Sequence, residues 1–201
     1  MKDAILNYSI NTIRKKDSSY SEEQLAIIRY GFESIYILIT KTIFIFMIAI
    51  ILGIFKEVLI FTLLYNLIRT TSFGLHATKS WMCFVSSTLI FITIPYICKI
   101  IDINIIVRSI VGVISILAIY KNAPADTYKR PIVSKKRRDN FKFVSTIIAI
   151  SMVFASLLID NTFLHNSLLL SLVVQCFMIS PAVYKIFKLP YDNYKAYQNM
   201  G

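Results

Sequence analysis

Between residues 35 and 184 the sequence runs through one apolar stretch after another, with charge confined to short breaks. A helix needs about 20 mainly apolar residues to cross the roughly 30 Å hydrocarbon core of a bilayer. Residues 35–55, 81–97, 103–120, 143–159 and 163–184 meet or nearly meet that length, and a sixth stretch, 58–68, is shorter. Its eleven uncharged residues rise only about 16 Å as a helix. Either Arg69 and the next turn lie within the membrane, or this segment is re-entrant. Pro95 is expected to break the 81–97 stretch near its end, and Pro181 the 163–184 stretch. The break between the first two is expected at Lys56-Glu57. The fold class that follows is all-α: a polytopic integral membrane protein of about six transmembrane or partly re-entrant helices.

Residues 1–34 are polar and charged and lack a short apolar core with a small-residue cleavage site, so the first span is expected to insert uncleaved. Ile5, Leu6, Ile10 and Ile13 form a modest apolar stripe, and Ser21 to Gln24 fits a capping box that opens a second helix. Such a segment either lies on the membrane surface or forms a solvated helix pair. The chain reads as a single membrane-embedded domain over 1–201. Within it, 1–34 is a cytoplasmic or interfacial segment, 35–184 holds the spans, 121–142 is a basic loop and 185–201 is a tail. The tyrosines at 184, 191, 194 and 197 read as an interfacial aromatic belt.

Charge sets the orientation. The net charge is +11, from 22 Lys and Arg against 11 Asp and Glu. The N-terminal segment, the 69–80 loop, the 121–142 loop and the C-terminal tail carry 5, 2, 8 and 3 of the cations, whereas the loops between carry only Lys56 and Lys99. The positive-inside rule then places both termini and the 69–80 loop in the cytoplasm. It accounts for the basic balance without nucleic acid as a partner. Cys83, Cys98 and Cys176 show no paired spacing, and the chain has two His, so neither a disulfide framework nor a metal site is expected, and no cofactor.

One segment can carry chemistry. Arg69-Thr-Thr-Ser-Phe-Gly-Leu-His-Ala-Thr-Lys-Ser-Trp-Met-Cys83 puts His76 and Cys83 seven residues apart at a membrane boundary. An imidazole that takes the thiol proton makes a Cys nucleophile. On an unbroken helix the two would sit about 10.5 Å apart along the axis, too far for a hydrogen bond. A bend must bring them together. Gly74 gives the backbone freedom for it, and a helix starting near Ser80 puts Cys83 in its first turn, where the helix dipole favours thiolate. By spacing alone, His76 and Cys83 equally fit an interfacial His and a packing Cys. Cys98, Cys176 and His165 have no such partner in sequence.

The string Arg69…Phe73-Gly74-Leu75-His76-Ala77…Cys83 is similar to the motif of the AgrB family, the accessory gene regulator peptidases of Gram-positive quorum sensing. Ala123-Pro-Ala-Asp-Thr-Tyr-Lys-Arg-Pro-Ile132 resembles that family's central-loop segment. Order, spacing and length agree over nearly the whole chain. One departure is that many members carry two glycines before the His, whereas here Phe73 precedes Gly74. The resemblance implies a cysteine endopeptidase that cuts a short precursor peptide, AgrD, before its acidic C-terminal tail. Cys83 is implied as nucleophile and His76 as general base. The resulting acyl-enzyme passes to a Cys or Ser of the same peptide, closing a thiolactone or lactone. A homodimer in the cell membrane, with the active site facing the cytoplasm, is also implied.

Around this pair, Asp126 is either a third catalytic group or a turn cap. Arg69 either holds substrate carboxylates, anchors the bend, or is a topological anchor. Lys129, Arg130, Lys135, Lys136, Arg137 and Arg138 form the most basic stretch, a dock for an acidic peptide tail, a binder of anionic membrane lipid, or both. The rival functions are a small polytopic transporter, to which Lys41, Arg69 and Arg108 would point, and a non-enzymatic membrane scaffold.

Overall fold

In the computed structural model, which describes residues 2–16, 20–75, 80–127 and 131–198, the regular elements among the described residues are all helices, with no strand. It divides into two compact units, residues 1–48 and 49–201. In the first, α1 (Lys2–Lys16) runs antiparallel to the beginning of α2 (Glu22–Ile51). Lys2 pairs with Glu33 at one end and Arg14 with Glu22 at the other. Leu6, Ile10 and Leu25 are buried, so part of the α1 stripe is covered. The capping box forms as expected: Ser21 N–H donates to Gln24 Oε1 and Gln24 N–H to Ser21 Oγ. The helix it nucleates does not pause at residue 34. It continues for 30 residues, because nothing before Leu52 offers the backbone a reason to stop.

The break after α2 comes earlier than Lys56-Glu57. Gly53 adopts φ +67, its N–H returns to Ile50 O, and Ile54 N–H returns to Ala49 O. That is a glycine helix stop. Lys56 and Glu57 instead lie in the first turn of α3 (Phe55–Ser72). The remaining helices are α4 (Ser80–Ile100), α5 (Ile105–Asn122), α6 (Lys135–Leu158), α7 (Thr162–Ile179), α8 (Pro181–Ile186) and α9 (Lys195–Gln198). Pro95 does not break α4, which is helical to Ile100; a proline costs a membrane helix one hydrogen bond that neighbouring groups can replace. Pro181 does mark a break, because α7 stops at Ile179 and the proline opens α8 at a position where no N–H is needed.

Five helices (α2, α4, α5, α6 and α7) are long and apolar enough to cross a membrane, which makes this a multi-pass membrane protein. The α3 helix has 18 residues, a rise of about 27 Å. It carries Lys56, Glu57 and Arg69 within that length, whereas α6 gathers its charges in its first turns and leaves an apolar run behind them. Leu63 and Leu67 of α3, Ile110, Val113 and Leu117 of α5, and Ile147, Ile150 and Phe154 of α6 face outward. In lipid, burying such faces gains little, and helices associate through close packing. Gly112 shows this: a Cβ there would come 2.6 Å from Val153 Cγ1, so α5 and α6 meet at bare backbone. The central helix is α7, which touches α3, α4, α5 and α6. Leu168, Leu172 and Ile179 on it join Ile68, Ile119, Ala149 and Met152 in the core. The ends of α3, α5 and α7 and the starts of α4 and α6 meet at one end of this bundle, where the two sequence motifs lie.

Candidate active site

The site is built outward from the last turn of α3. Ser72 ends the helix, and its hydroxyl donates to Ile68 O. Phe73 and Gly74 then take φ +56 and +112. At Gly74 no other residue fits, since a Cβ would meet Arg69 Nη1 at 2.6 Å and Met178 O at 2.8 Å. Phe73 occupies a backbone region that favours glycine, and its ring packs edge-on against Phe141 at 4.9 Å between centroids. That aromatic contact offsets part of the conformational cost.

Arg69 settles which of its readings the geometry carries. Its Nη1 donates to Phe73 O (2.5 Å) and its Nη2 to Leu75 O (2.8 Å) and Gly74 O (3.4 Å). The guanidinium therefore gathers the carbonyls that α3 and the bend leave open, and anchors the bend. Charge-assisted bonds of this kind are stronger than neutral ones.

The two motifs are hydrogen-bonded to each other. Ala125 N–H donates to Ser72 O (3.0 Å) and Gly74 N–H to Ala125 O (2.9 Å), a short parallel bridge between Phe73 and Ala125. From the other side, Leu75 N–H donates to Met178 O at the end of α7 (2.9 Å). Gln175 Nε2 donates to Ser72 Oγ (2.6 Å) and Phe73 O (2.8 Å). The peptide that leads into His76 is thus held by α3, by the 123–126 segment and by α7.

Asp126, only 3% exposed, is a clamp for the tail. One carboxylate oxygen accepts from Asn193 N–H (2.9 Å), the other from Tyr194 N–H (2.9 Å) and Ile132 N–H (3.3 Å). Tyr184 donates its hydroxyl to Asp126 O (3.1 Å) and stacks edge-on with Tyr191. Arg138 donates to Ile132 O and Val133 O and lies 3.8 Å above the Tyr194 ring. Tyr184, Tyr191 and Tyr194 therefore face protein, and the aromatic-belt reading holds at most for Tyr197, which is 43% exposed. Burial, with Asp192 and Asp126 nearby, pushes the Tyr191 phenol up to about 12, and burial lifts that of Tyr184 well above the usual range.

Cys83 is the fourth residue of α4, in its first turn, and is partly buried. His76 lies outside the described residues, as do Lys129 and Arg130. Lys135, Lys136 and Arg137 are exposed on the first turn of α6, capped by Ser134, whereas Arg138 is turned inward. Cys98 is fully buried, and Cys176 Sγ donates to Ser115 O. His165 sits at the opposite end of the bundle, its Nδ1 against Ile159 O; Nε2 is 3.3 Å from Asp102 Oδ1 but without hydrogen-bond geometry. Among the described residues no three His, Cys, Asp or Glu gather where a metal could bind.

Reading the sequence alone passes over Gln175, Ser72 and Asn193. The signal for Gln175 was present, since an amide in the middle of an apolar span is costly and calls for a role.

The family model for Accessory gene regulator B matches residues 6–179. Among curated relatives, a "Putative AgrB-like protein" of Listeria monocytogenes is 30% identical over 199 residues, covering 98% of this chain and 96% of its own length. Another of that name, from Clostridium acetobutylicum, is 29% identical over 175 residues, 87% of this chain and 84% of its own. An "Accessory gene regulator protein B" of Staphylococcus aureus is 35% identical over 175 residues, 85% and 90% of the two chains. No solved structure matches the chain. The motif pair, the helical membrane fold and these matches agree: the chain belongs to the accessory gene regulator B family, and its role lies in that quorum-sensing system.

Proposed function

We propose that this protein is a membrane-embedded cysteine endopeptidase that processes an AgrD-like precursor and promotes cyclisation of the autoinducing peptide. The observation that carries the reading is the bond network joining the two motifs: Ser72, Gly74 and Leu75 are tied to Ala125 and Met178 at the end of the bundle where α4 begins with Cys83. This bend lies just before His76, between α3 and α4, and supports the reading by fixing where the segment that leads to His76 begins.

In the proposed chemistry, His76 takes the Cys83 thiol proton and the thiolate attacks the carbonyl at the junction with the acidic tail. The C–N bond breaks, the tail's amine leaves with the proton from the imidazolium, and a thioester to Cys83 remains. The peptide's own Cys thiol, or Ser hydroxyl, then attacks that carbonyl; Cys83 departs as thiolate and recovers a proton, and the ring closes. Exchange between two thioesters is nearly balanced, so a site shielded from water favours the tethered thiol over hydrolysis. Arg69, Gly74 and Asp126 support the frame in this scheme. Lys135, Lys136 and Arg137, with Lys129 and Arg130, dock the acidic tail, facing the cytoplasm. A homodimer in the cell membrane is part of the same reading.

Purified protein in nanodiscs with a synthetic acidic-tailed precursor tests this. Tail release should depend on Cys83, and a precursor whose internal Cys or Ser is blocked should leave a Cys83 adduct visible by intact mass. Release that persists in Cys83→Ala would end the peptidase reading. No release under any condition would leave transport or a scaffold role as the better account.

A further inference from the structure

Gln175 is fully buried on α7, one turn before the helix ends. Its Nε2 carries two hydrogens, and both are used, one on Ser72 Oγ and one on Phe73 O. The Phe73 carbonyl can only accept, so the amide's orientation is fixed by its partner. Oε1 has no hydrogen-bond partner among the described residues. A buried amide satisfied on one side only costs stability, and a Leu of similar size would avoid that cost.

The two donors on Phe73 O divide the work. Arg69 reaches it from within α3, and so fixes the bend to its own helix. Gln175 reaches it from α7, and so fixes the bend to the rest of the bundle. The Leu75 N–H bond to Met178 O is the second attachment to α7, three residues further along. These two bonds bracket the peptide units just before His76.

We infer that Gln175 is a positioning residue for the bend, setting the segment that leads to His76 against α7. The inference rests on the peptidase reading for its functional meaning, but not for its structural content. Gln175→Leu keeps the volume and removes both donors. Precursor cleavage should fall about 10²-fold, the scale of a misplaced catalytic group, with little change in precursor binding. The Gly74 and Leu75 amides should lose protection from hydrogen exchange. Gln175→Glu supplies a sharper readout, since its carboxyl group can donate to Phe73 O only when protonated. Burial favours the neutral carboxyl and the Arg69 guanidinium on the same carbonyl favours the carboxylate; cleavage should be lost wherever the carboxylate prevails and recover as pH falls.

Near-wild-type cleavage and exchange in Gln175→Leu would overturn the inference. If Gln175→Leu does not fold, the Glu variant decides, and wild-type cleavage at every pH would overturn it. If wild-type cleavage proves independent of Cys83, the peptidase reading fails while amide exchange at Gly74 and Leu75 still tests Gln175.

Discussion

The two ends of the helical bundle solve the same problem differently. At the end away from the motifs, the connections 101–104 and 159–161 are short and carry their own caps: Asn104 accepts from Ile106 N–H and Asn161 from Leu164 N–H. Glu57 and Lys99 add an ion pair at 2.7 Å whose lysine is about half exposed. At the motif end, the described residues that follow α3 and α5 and the tail after α8 are irregular. Their carbonyls and N–H groups are met by side chains distant in sequence: Gln175, Asp126 and Tyr184. Distant side chains act at the other end too, since Asn166 donates to Cys98 O and Ile101 O and Arg108 to Ser156 O, but they close helix ends rather than hold a bend. A bend that must hold an unusual backbone needs several, and a site that depends on precise placement gains from them.

Substitutions can break this contrast, and the largest effect should come from Asp126→Ala. It would leave the N–H groups of Ile132, Asn193 and Tyr194 without an acceptor, a cost of about 3–5 kcal/mol. Thermal unfolding should show the loss, and limited proteolysis should cut near residue 190; an unchanged melting temperature would remove the clamp from the account. Gly74→Ala comes next, because the added methyl must displace either the Arg69 guanidinium or the Met178 carbonyl, and at φ +112 it is strained besides. We expect a loss of about 2 kcal/mol and a larger proportional loss of cleavage.

Changing Lys135, Lys136 and Arg137 together to Gln leaves the frame intact, since all three are exposed. It should weaken precursor binding, and added salt should weaken wild-type binding in the same way. Normal binding with poorer membrane insertion would assign these cations to topology alone. At the opposite end, Glu57→Gln should cost less than about 1 kcal/mol and leave processing unchanged. A large effect there would erase the difference between the ends.

Much of this is legible in local chemistry alone. The capping box at Ser21, the helix break at Pro181, the start of α4 near Ser80 and the need for a bend at Gly74 all follow from local chemistry. So does the apolar patterning that makes the protein polytopic and helical. Local rules also failed in recognisable ways. The stop at Gly53 was hidden by the more conspicuous Lys56-Glu57 pair, and Pro95 was given more power than a membrane helix concedes to it.

Neighbours along the chain suffice for span lengths, caps, glycine turns, the charge asymmetry and the order of two short motifs. Which groups satisfy the irregular bends emerges only once the helices are packed. Asp126 reads equally as catalyst or cap until Asn193 and Tyr194, some 67 residues away, are seen to donate to it. Arg69 reads as substrate holder, bend anchor or topological anchor until the carbonyls it gathers are in place, and Gln175 goes unremarked until Phe73 lies opposite. The physical reason is that every buried polar group must find a partner, but no rule of spacing says where along the chain that partner will be.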